Sequence, residues 1–260
     1  MVDLVLQQFG AQAVTGFFLV LARVTPLFVF APLFSSRLLP RRVRGIAAVA
    51  LALGLSPVVV AGQHLPTDAW AIAGLLLKEL LVGMGFAFAL GALFAAVSVA
   101  GSFLDYLIGF AFGSLVDPVN GTQTTVLAQL YGMLGVVVFI AIDGDGWVIA
   151  GLAHTYDLVG VTQMPALDSL VGGAVQAFVT IFSSAVQVAG PIMLALVLTD
   201  AAFGLVSRAV PQMNVFAVDF PVKVLVGLVL LGVTLPFVVG WLGDEVQASV
   251  AQALQTLRVG

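Results

Sequence analysis

The sequence predicts an all-α membrane protein of long, kinked and broken apolar helices in hairpins, and three observations carry that prediction. Of 260 residues, 61% are hydrophobic and only 8% are charged, where an ordinary soluble domain carries about 25% charged residues. So few charges cannot cover a globule of this size, so most of the outside must face lipid or other apolar protein surface. The apolar residues gather into six long stretches, roughly 9–34, 43–62, 69–104, 124–142, 170–206 and 222–243. About 20 such residues cross a bilayer core as a helix. No stretch alternates with period two, so an outer-membrane barrel fits poorly.

Taken in order, the first stretch is interrupted by Pro26 and Pro32. Proline lacks an amide hydrogen and clashes with the preceding turn, so each is expected to kink or end the helix. Pro57, Pro191 and Pro236 sit inside other stretches, and backbone groups freed there need protein partners. The third and fifth stretches are overlong for a single span and are expected to be bent, broken or folded into hairpins. No repeat or Pro/Ser-rich linker divides the chain, which reads as one domain over 1–260. Met1-Val2-Asp3-Leu4 has no positive residue before Arg23, so it lacks a signal peptide's basic n-region and reads as part of the mature protein.

The charges fall mostly between the stretches. Arg37, Arg41, Arg42 and Arg44 form a tight basic loop, Arg208 and Lys223 flank another, and Asp68 and His64 follow the second stretch. Asp143, Asp145, Asp157 and Asp168 read as an acidic loop with no basic residue. If all six stretches spanned, the basic loops would share the cytoplasmic side and both chain ends would lie outside. The basic loop is expected to face the cytoplasm, as a rim where substrates enter or a lipid-headgroup contact.

Several chemistries are excluded or weakened. The formal net charge of -4, from 9 basic and 13 acidic residues, argues against nucleic acid. There is no cysteine, so disulfides, thiol catalysis and thiolate metal sites are out. His64 and His154 lie too far apart in sequence for a His-rich metal motif. Asp143-Gly144-Asp145-Gly146 resembles part of a calcium loop but lacks the later acidic ligand, and reads as a solvated turn. The aspartates near Tyr156 read as loop residues, not as the intramembrane dyad of an aspartyl protease. No nucleophile elbow, phosphate-binding loop or zincin motif occurs. The expectation is a non-enzyme with no cofactor. Lys78-Glu79 and Asp200 lie in or at the ends of apolar stretches and read as paired or interfacial structural charges in preference to an ion path.

The segment from Gly109 to Gly121 stands apart. Glycines four apart flank Phe110 and Phe112, as in a close helix contact, and the turn-forming run Leu115-Val116-Asp117-Pro118-Val119-Asn120-Gly121 follows at once. An apolar loop of this kind would leave amides and carbonyls unpaired in lipid, so it is expected to pack inside protein. Phe110, Phe112, Leu115 and Val116 are expected to close a pore while Asp117-Pro118 sets the turn. The alternative is a re-entrant structural loop with no gating role.

Three groups of residues carry a resemblance to a known family. Ala31-Pro32-Leu33-Phe34 with Leu39-Pro40-Arg41-Arg42-Val43-Arg44 resembles the start of the flagellar biosynthesis protein FliR family. Gly113-Ser114-Leu115-Val116-Asp117-Pro118 with Leu127-Ala128-Gln129-Leu130 resembles its middle. Ser207-Arg208-Ala209-Val210-Pro211-Gln212-Met213-Asn214-Val215-Phe216 with Phe220-Pro221-Val222-Lys223 resembles its C-terminal signature, the most specific of the three. Asp145 and Asp219 depart from the family's usual histidine and glycine at those places.

The resemblance implies a subunit of the flagellar type III export gate, which passes unfolded flagellar proteins across the bacterial inner membrane within the basal body. It implies an N-terminal part like FliP and a C-terminal part like FliQ. The implied partners are FliP-like and FliQ-like subunits, FlhB-like and FlhA-like export components, exported proteins in transit and membrane lipid. It implies a plug role for the loop at Phe110–Pro118 and an assembly role for Arg208, Pro211, Gln212, Asn214, Phe216, Pro221 and Lys223. It also implies a position largely above the bilayer plane. That conflicts with six spans, since hydropathy does not separate lipid from apolar protein neighbours. The alternatives are the homologous subunit of a virulence-type injectisome, which neighbouring genes would distinguish, then a secondary transporter or a membrane enzyme.

Overall fold

A computed structural model describes residues 10–31, 40–110, 126–165 and 167–258. Among the described residues the regular structure is helical, in seven helices: α1 (Ala11–Phe30), α2 (Arg41–Val59), α3 (Ala69–Ile108), α4 (Val126–Ala141), α5 (Gly144–Leu158), α6 (Leu167–Ala209) and α7 (Val215–Arg258). Five of them, α1, α2, α3, α6 and α7, are long and apolar enough to cross a membrane, and the broken pair α4 and α5 makes a sixth if counted as one span.

The third and fifth stretches run unbroken, as the 40-residue α3 and the 43-residue α6. The chain breaks instead at Ile142-Asp143, where Asp143 adopts the left-handed conformation at φ 53°. Asp tolerates that region because its short polar side chain bonds locally. The prolines are also accommodated: Pro26 lies within α1, Pro57 within α2, Pro191 within α6, and Pro221 and Pro236 within α7. Pro26 therefore does not end its helix, and Pro32 lies outside the described residues.

Two expected loops are helix. Gly144–Leu158 reads as an acidic loop from its charges, yet Val148, Gly151, Leu152 and Thr155 recur at helical spacing and are buried. Asp145 sits in the first turn, where a negative charge suits the helix dipole. Arg41, Arg42 and Arg44 belong to the first turn and a half of α2, which begins directly after Pro40. Helix α7 also runs well past the sixth apolar stretch. Leu242, Val246, Val250 and Ala253 are buried at intervals of three and four, so the amphipathic pattern continues after the hydropathy falls.

The chain forms two compact units. One comprises Met1–Ala92, Asp143–Ala177 and Val246–Gly260; the other comprises Leu93–Ile142 and Phe178–Glu245. In the first unit α1 packs on α2, with Gly16 facing the Val60 side chain. Helix α1 also crosses α3 at backbone contact: a Cβ on Gly83 would lie 2.1 Å from the Arg23 carbonyl oxygen. In the second unit Phe94 of α3 meets Phe139 of α4 edge-on at 5.4 Å between ring centres.

Candidate functional site

Burying a charge in an apolar interior is costly unless it is paired and hydrogen-bonded. In a chain this apolar, the buried charges show where that cost is met. Among the described residues they are Arg23, Lys78, Glu79 and Asp105.

Arg23, Lys78 and Glu79 form one cluster in the first unit. The planar guanidinium of Arg23 on α1 grips Glu79 on α3 with two nitrogens: Nε donates to Oε2, and Nη2 donates to Oε1 at 3.0 Å. Such a fork matches a carboxylate better than any other side chain does. Lys78 is adjacent to Glu79, yet its flexible stem brings Nζ to 2.6 Å from Oε1. Lys78 and Glu79 are thus paired structural charges, as expected, and they pair with each other although they are adjacent on the helix; Arg23 is a partner the sequence does not signal. Fifty-six residues separate Arg23 from Glu79. The only available signal was that Arg23 is the sole charge in its stretch.

The cluster carries two cations and one carboxylate, and the C-terminal end of α5 balances it. Arg23 Nη2 donates to the carbonyl of Val159 at 2.8 Å, and Lys78 Nζ donates to those of Gly160 and Val161, both at 2.8 Å. Nη1 of Arg23 donates to the Thr155 hydroxyl at 3.2 Å, and that hydroxyl donates to the Leu152 carbonyl at 2.6 Å. The Tyr156 ring lies 4.0 Å from the guanidinium carbon, a cation–π contact. Carbonyls at a helix C-terminus carry partial negative charge. Chemically this is a closed structural tie between α1, α3 and α5, with no site exposed to a substrate.

Asp105 makes the complementary tie in the second unit. It is fully buried near the end of α3. Its carboxylate accepts from the Leu127 amide at 3.0 and 3.1 Å and from the Ala128 amide at 3.1 Å. These amides belong to the first turn of α4, whose N–H groups lack helical partners. The approach depends on Gly101, one turn earlier, where a Cβ would lie 2.6 Å from the backbone of Leu127 and Ala128. Asp105 therefore caps α4 from another helix. Nothing local in the sequence signals this, because Asp105 precedes the helix it caps by no fixed spacing.

The predicted pore loop leaves the end of α3. Gly109, at φ 100°, ends the helix, and its amide donates to the Asp105 carbonyl at 3.1 Å. Phe110 is half-buried. Phe112, Leu115, Val116, Asp117 and Pro118 lie outside the described residues. So does Arg37 of the basic group. Arg41 and Arg42 are exposed and Arg44 is half-buried. Basic charge at a helix N-terminus opposes the dipole by about 0.3–1 kcal/mol each.

The C-terminal signature falls on the α6–α7 turn. Arg208 is exposed in the last turn of α6, where a cation suits the dipole. Pro211 and Gln212 are exposed in the turn, and Asn214 caps α7 by accepting from the Ala217 amide at 3.3 Å. The Phe216 side chain lies outside the described set. Pro221 is exposed, and Lys223 pairs with Asp219 at 3.0 Å and with Asp200 across on α6. Asp219 Oδ1 is buried with no hydrogen-bond partner among the described residues.

Large apolar side chains cover much of the remaining surface. Ile46 and Val58 of α2, Leu194 and Leu205 of α6, and Leu225 and Val233 of α7 are all at least 63% exposed. An open cavity of about 860 Å³ between α1 and α2 is lined by Phe17, Phe18, Leu53, Pro57 and Val60 among others.

Comparison with known proteins places this geometry. Residues 14–249 match the model of the family described as bacterial export proteins, family 1. The flagellar biosynthetic protein FliR of Pectobacterium carotovorum is 29% identical over 86% of each chain. FliR of Bacillus subtilis is 30% identical over 83% of this chain and 84% of its own. The surface presentation of antigens protein SpaR of Salmonella typhimurium is 30% identical over 82% of this chain and 78% of its own.

Proposed function

This chain belongs to the bacterial export proteins, family 1, and from that premise we propose that it is a subunit of the flagellar type III export gate. The observation that carries the reading is the similarity to FliR proteins along more than four-fifths of the chain. The gate passes unfolded flagellar proteins across the inner membrane of the basal body. This subunit acts as a channel component and not as an enzyme, and needs no cofactor. Its single domain has a FliP-like N-terminal part and a FliQ-like C-terminal part.

The partners are FliP-like and FliQ-like subunits, FlhB-like and FlhA-like export components, the exported proteins in transit and membrane lipid. Two features support assembly with other chains: the exposed apolar faces of α2, α6 and α7, and the open cavity between α1 and α2. The segment holding Phe110, Phe112, Leu115, Val116, Asp117 and Pro118 plugs the idle channel. Arg37, Arg41, Arg42 and Arg44 face the cytoplasm, where cations near a helix start are solvated or meet anions. Arg208, Pro211, Gln212, Asn214, Phe216, Pro221 and Lys223 serve assembly.

A second reading is the homologous subunit of a virulence-type injectisome, favoured by the similarity to SpaR proteins. Co-expression tests both the family role and the choice. With FliP-like and FliQ-like subunits of its own genome the chain should purify as one stable complex. A well-folded monomer that never joins them would refute the proposal, and assembly with only the virulence-type set would select the second reading.

A further inference from the structure

We propose that α2 carries a track for one anionic phospholipid. Its headgroup phosphate is held at Arg41 and Arg42, and an acyl chain runs along Ile46, Val49 and Leu53 into the cavity between α1 and α2. This track rests on the cytoplasmic placement of the basic residues above and gives them a ligand. Arg42, Ile46, Val49 and Leu53 recur at intervals of four, three and four, so one face of the helix presents all four. Arg42 is exposed, and the three apolar side chains are 70%, 40% and 56% exposed. Ala48 and Ala52 lie off this stripe and are buried. The stripe ends at the cavity of about 860 Å³, because Leu53 belongs to both, with Phe17, Phe18, Pro57 and Val60 around it.

The cationic end of the track is unbalanced within the chain. Among the described residues Arg41 and Arg42 have no acidic partner. The first turn of α2 holds no acidic residue, and its start has no side-chain cap. The positive end of the helix dipole adds to the two guanidinium charges. A phosphate answers both, since guanidinium groups match its oxygens and helix starts bind it through backbone amides. A free phosphate would account for the charge but not for the apolar stripe beside it, whereas a phospholipid accounts for the two together. The lengths agree as well. The eleven residues from Arg42 to Leu53 rise about 17 Å at 1.5 Å each, close to one leaflet, half of a hydrocarbon core of about 30 Å. A headgroup at the interface therefore brings the end of its acyl chain to the cavity. The anionic lipids of a cytoplasmic leaflet are the ones such arginines attract.

The test uses the detergent-purified complex, stripped of lipid and offered phosphatidylglycerol, phosphatidylcholine or glycerol phosphate, with retained ligand read by native mass spectrometry. Phosphatidylglycerol should be retained in preference to phosphatidylcholine, and excess glycerol phosphate should not displace it. A basic residue near an anionic lipid surface contributes about fivefold, so the double variant Arg41→Gln with Arg42→Gln should lower that preference by about 25-fold. Leu53→Asn should weaken retention of both lipids alike. A phosphatidylglycerol with a photoreactive acyl-chain end should label the peptides that hold Phe17, Phe18, Leu53 and Pro57. Labelling confined to other segments overturns the track, as does displacement by glycerol phosphate or an unchanged preference in the arginine variant. No retention at all also overturns it, and shows that a neighbouring subunit covers α2 in place of lipid. If the arginine variant does not assemble, photolabelling of the wild-type complex decides. Sidedness is read separately at Gly45, where an added Cβ would meet nothing within 4 Å. Labelling of Gly45→Cys from outside intact cells would overturn the cytoplasmic placement, while retention and photolabelling still decide the track.

Discussion

Two ion clusters among the described residues use the same chemistry in opposite ways. Around Glu79, two cations share one carboxylate, the side chains are almost fully sealed, and neighbouring carbonyls take the remaining donors. Around Lys223, one cation is shared by two carboxylates, with Lys223 15%, Asp219 20% and Asp200 42% exposed. One carboxylate oxygen there is buried and unbonded among the described residues. The first cluster is complete within the chain and ties its helices together. The second is finished only in part, and lies beside the signature turn assigned to assembly. Burial makes a pair indispensable once formed, while exposure keeps it exchangeable.

Removing the shared carboxylate breaks the sealed cluster and should give the largest effect. Glu79→Gln leaves Arg23 and Lys78 as two buried cations without their anion. A broken buried pair costs about 3–5 kcal/mol, so thermal unfolding of the detergent-solubilised complex should fall sharply. Stability equal to wild type would show that the carbonyls alone satisfy the cations. A steric change on the same side of the comparison comes next. Gly83→Ala would put a methyl 2.1 Å from the Arg23 carbonyl oxygen, forcing α1 and α3 apart at the position where Arg23 leaves its helix. Overpacking of this kind costs about 1–3 kcal/mol. Gly91→Ala, whose methyl would lie 3.1 Å from the Phe30 carbonyl, should cost less, and denaturant titration of both variants checks the order.

The smallest effect belongs to the open cluster. Lys223→Ala should cost the chain alone no more than about 1 kcal/mol, the range of partly exposed pairs. If the cluster serves assembly, the same variant should weaken recovery of the complex by more than that. Comparing unfolding of the lone chain with subunit retention in the complex measures the difference. Equal losses in both would make the Lys223 cluster a structural tie like that of Glu79.

Much of the architecture was legible because hydropathy and length report burial directly. Within the described residues each of the six apolar stretches falls mainly on a helix. What failed were inferences from charge. Asp145 and Asp157 made Gly144–Leu158 look like a loop, although charges at helix ends are compatible with a buried Val148 and Leu152 between them. Pro26, Pro57, Pro191 and Pro236 are expected to kink or end their helices, and each lies inside one, so none of the four ends its helix. The ties were legible only by half. Lys78 and Glu79 stand out as charges in an apolar run, but Arg23 is 56 residues away from Glu79, and Asp105 lies 22 residues before Leu127, whose amide it caps. Pairing over such separations is settled by tertiary packing, which no local spacing encodes.

Helix α2 extends the contrast between finished and unfinished surfaces into evolution. Within this chain Ala48 and Ala52, a single helical turn apart, are the fully buried residues of α2, with Ala47, Leu51 and Leu55 half-buried beside them. Val43, Ile46, Val49, Leu53 and Val58 face outward. Selection on them acts through whatever lies against this surface. A substitution there is answered in another polypeptide, or by lipid, and the divergence of α2 between species should track that of its neighbours rather than that of α3.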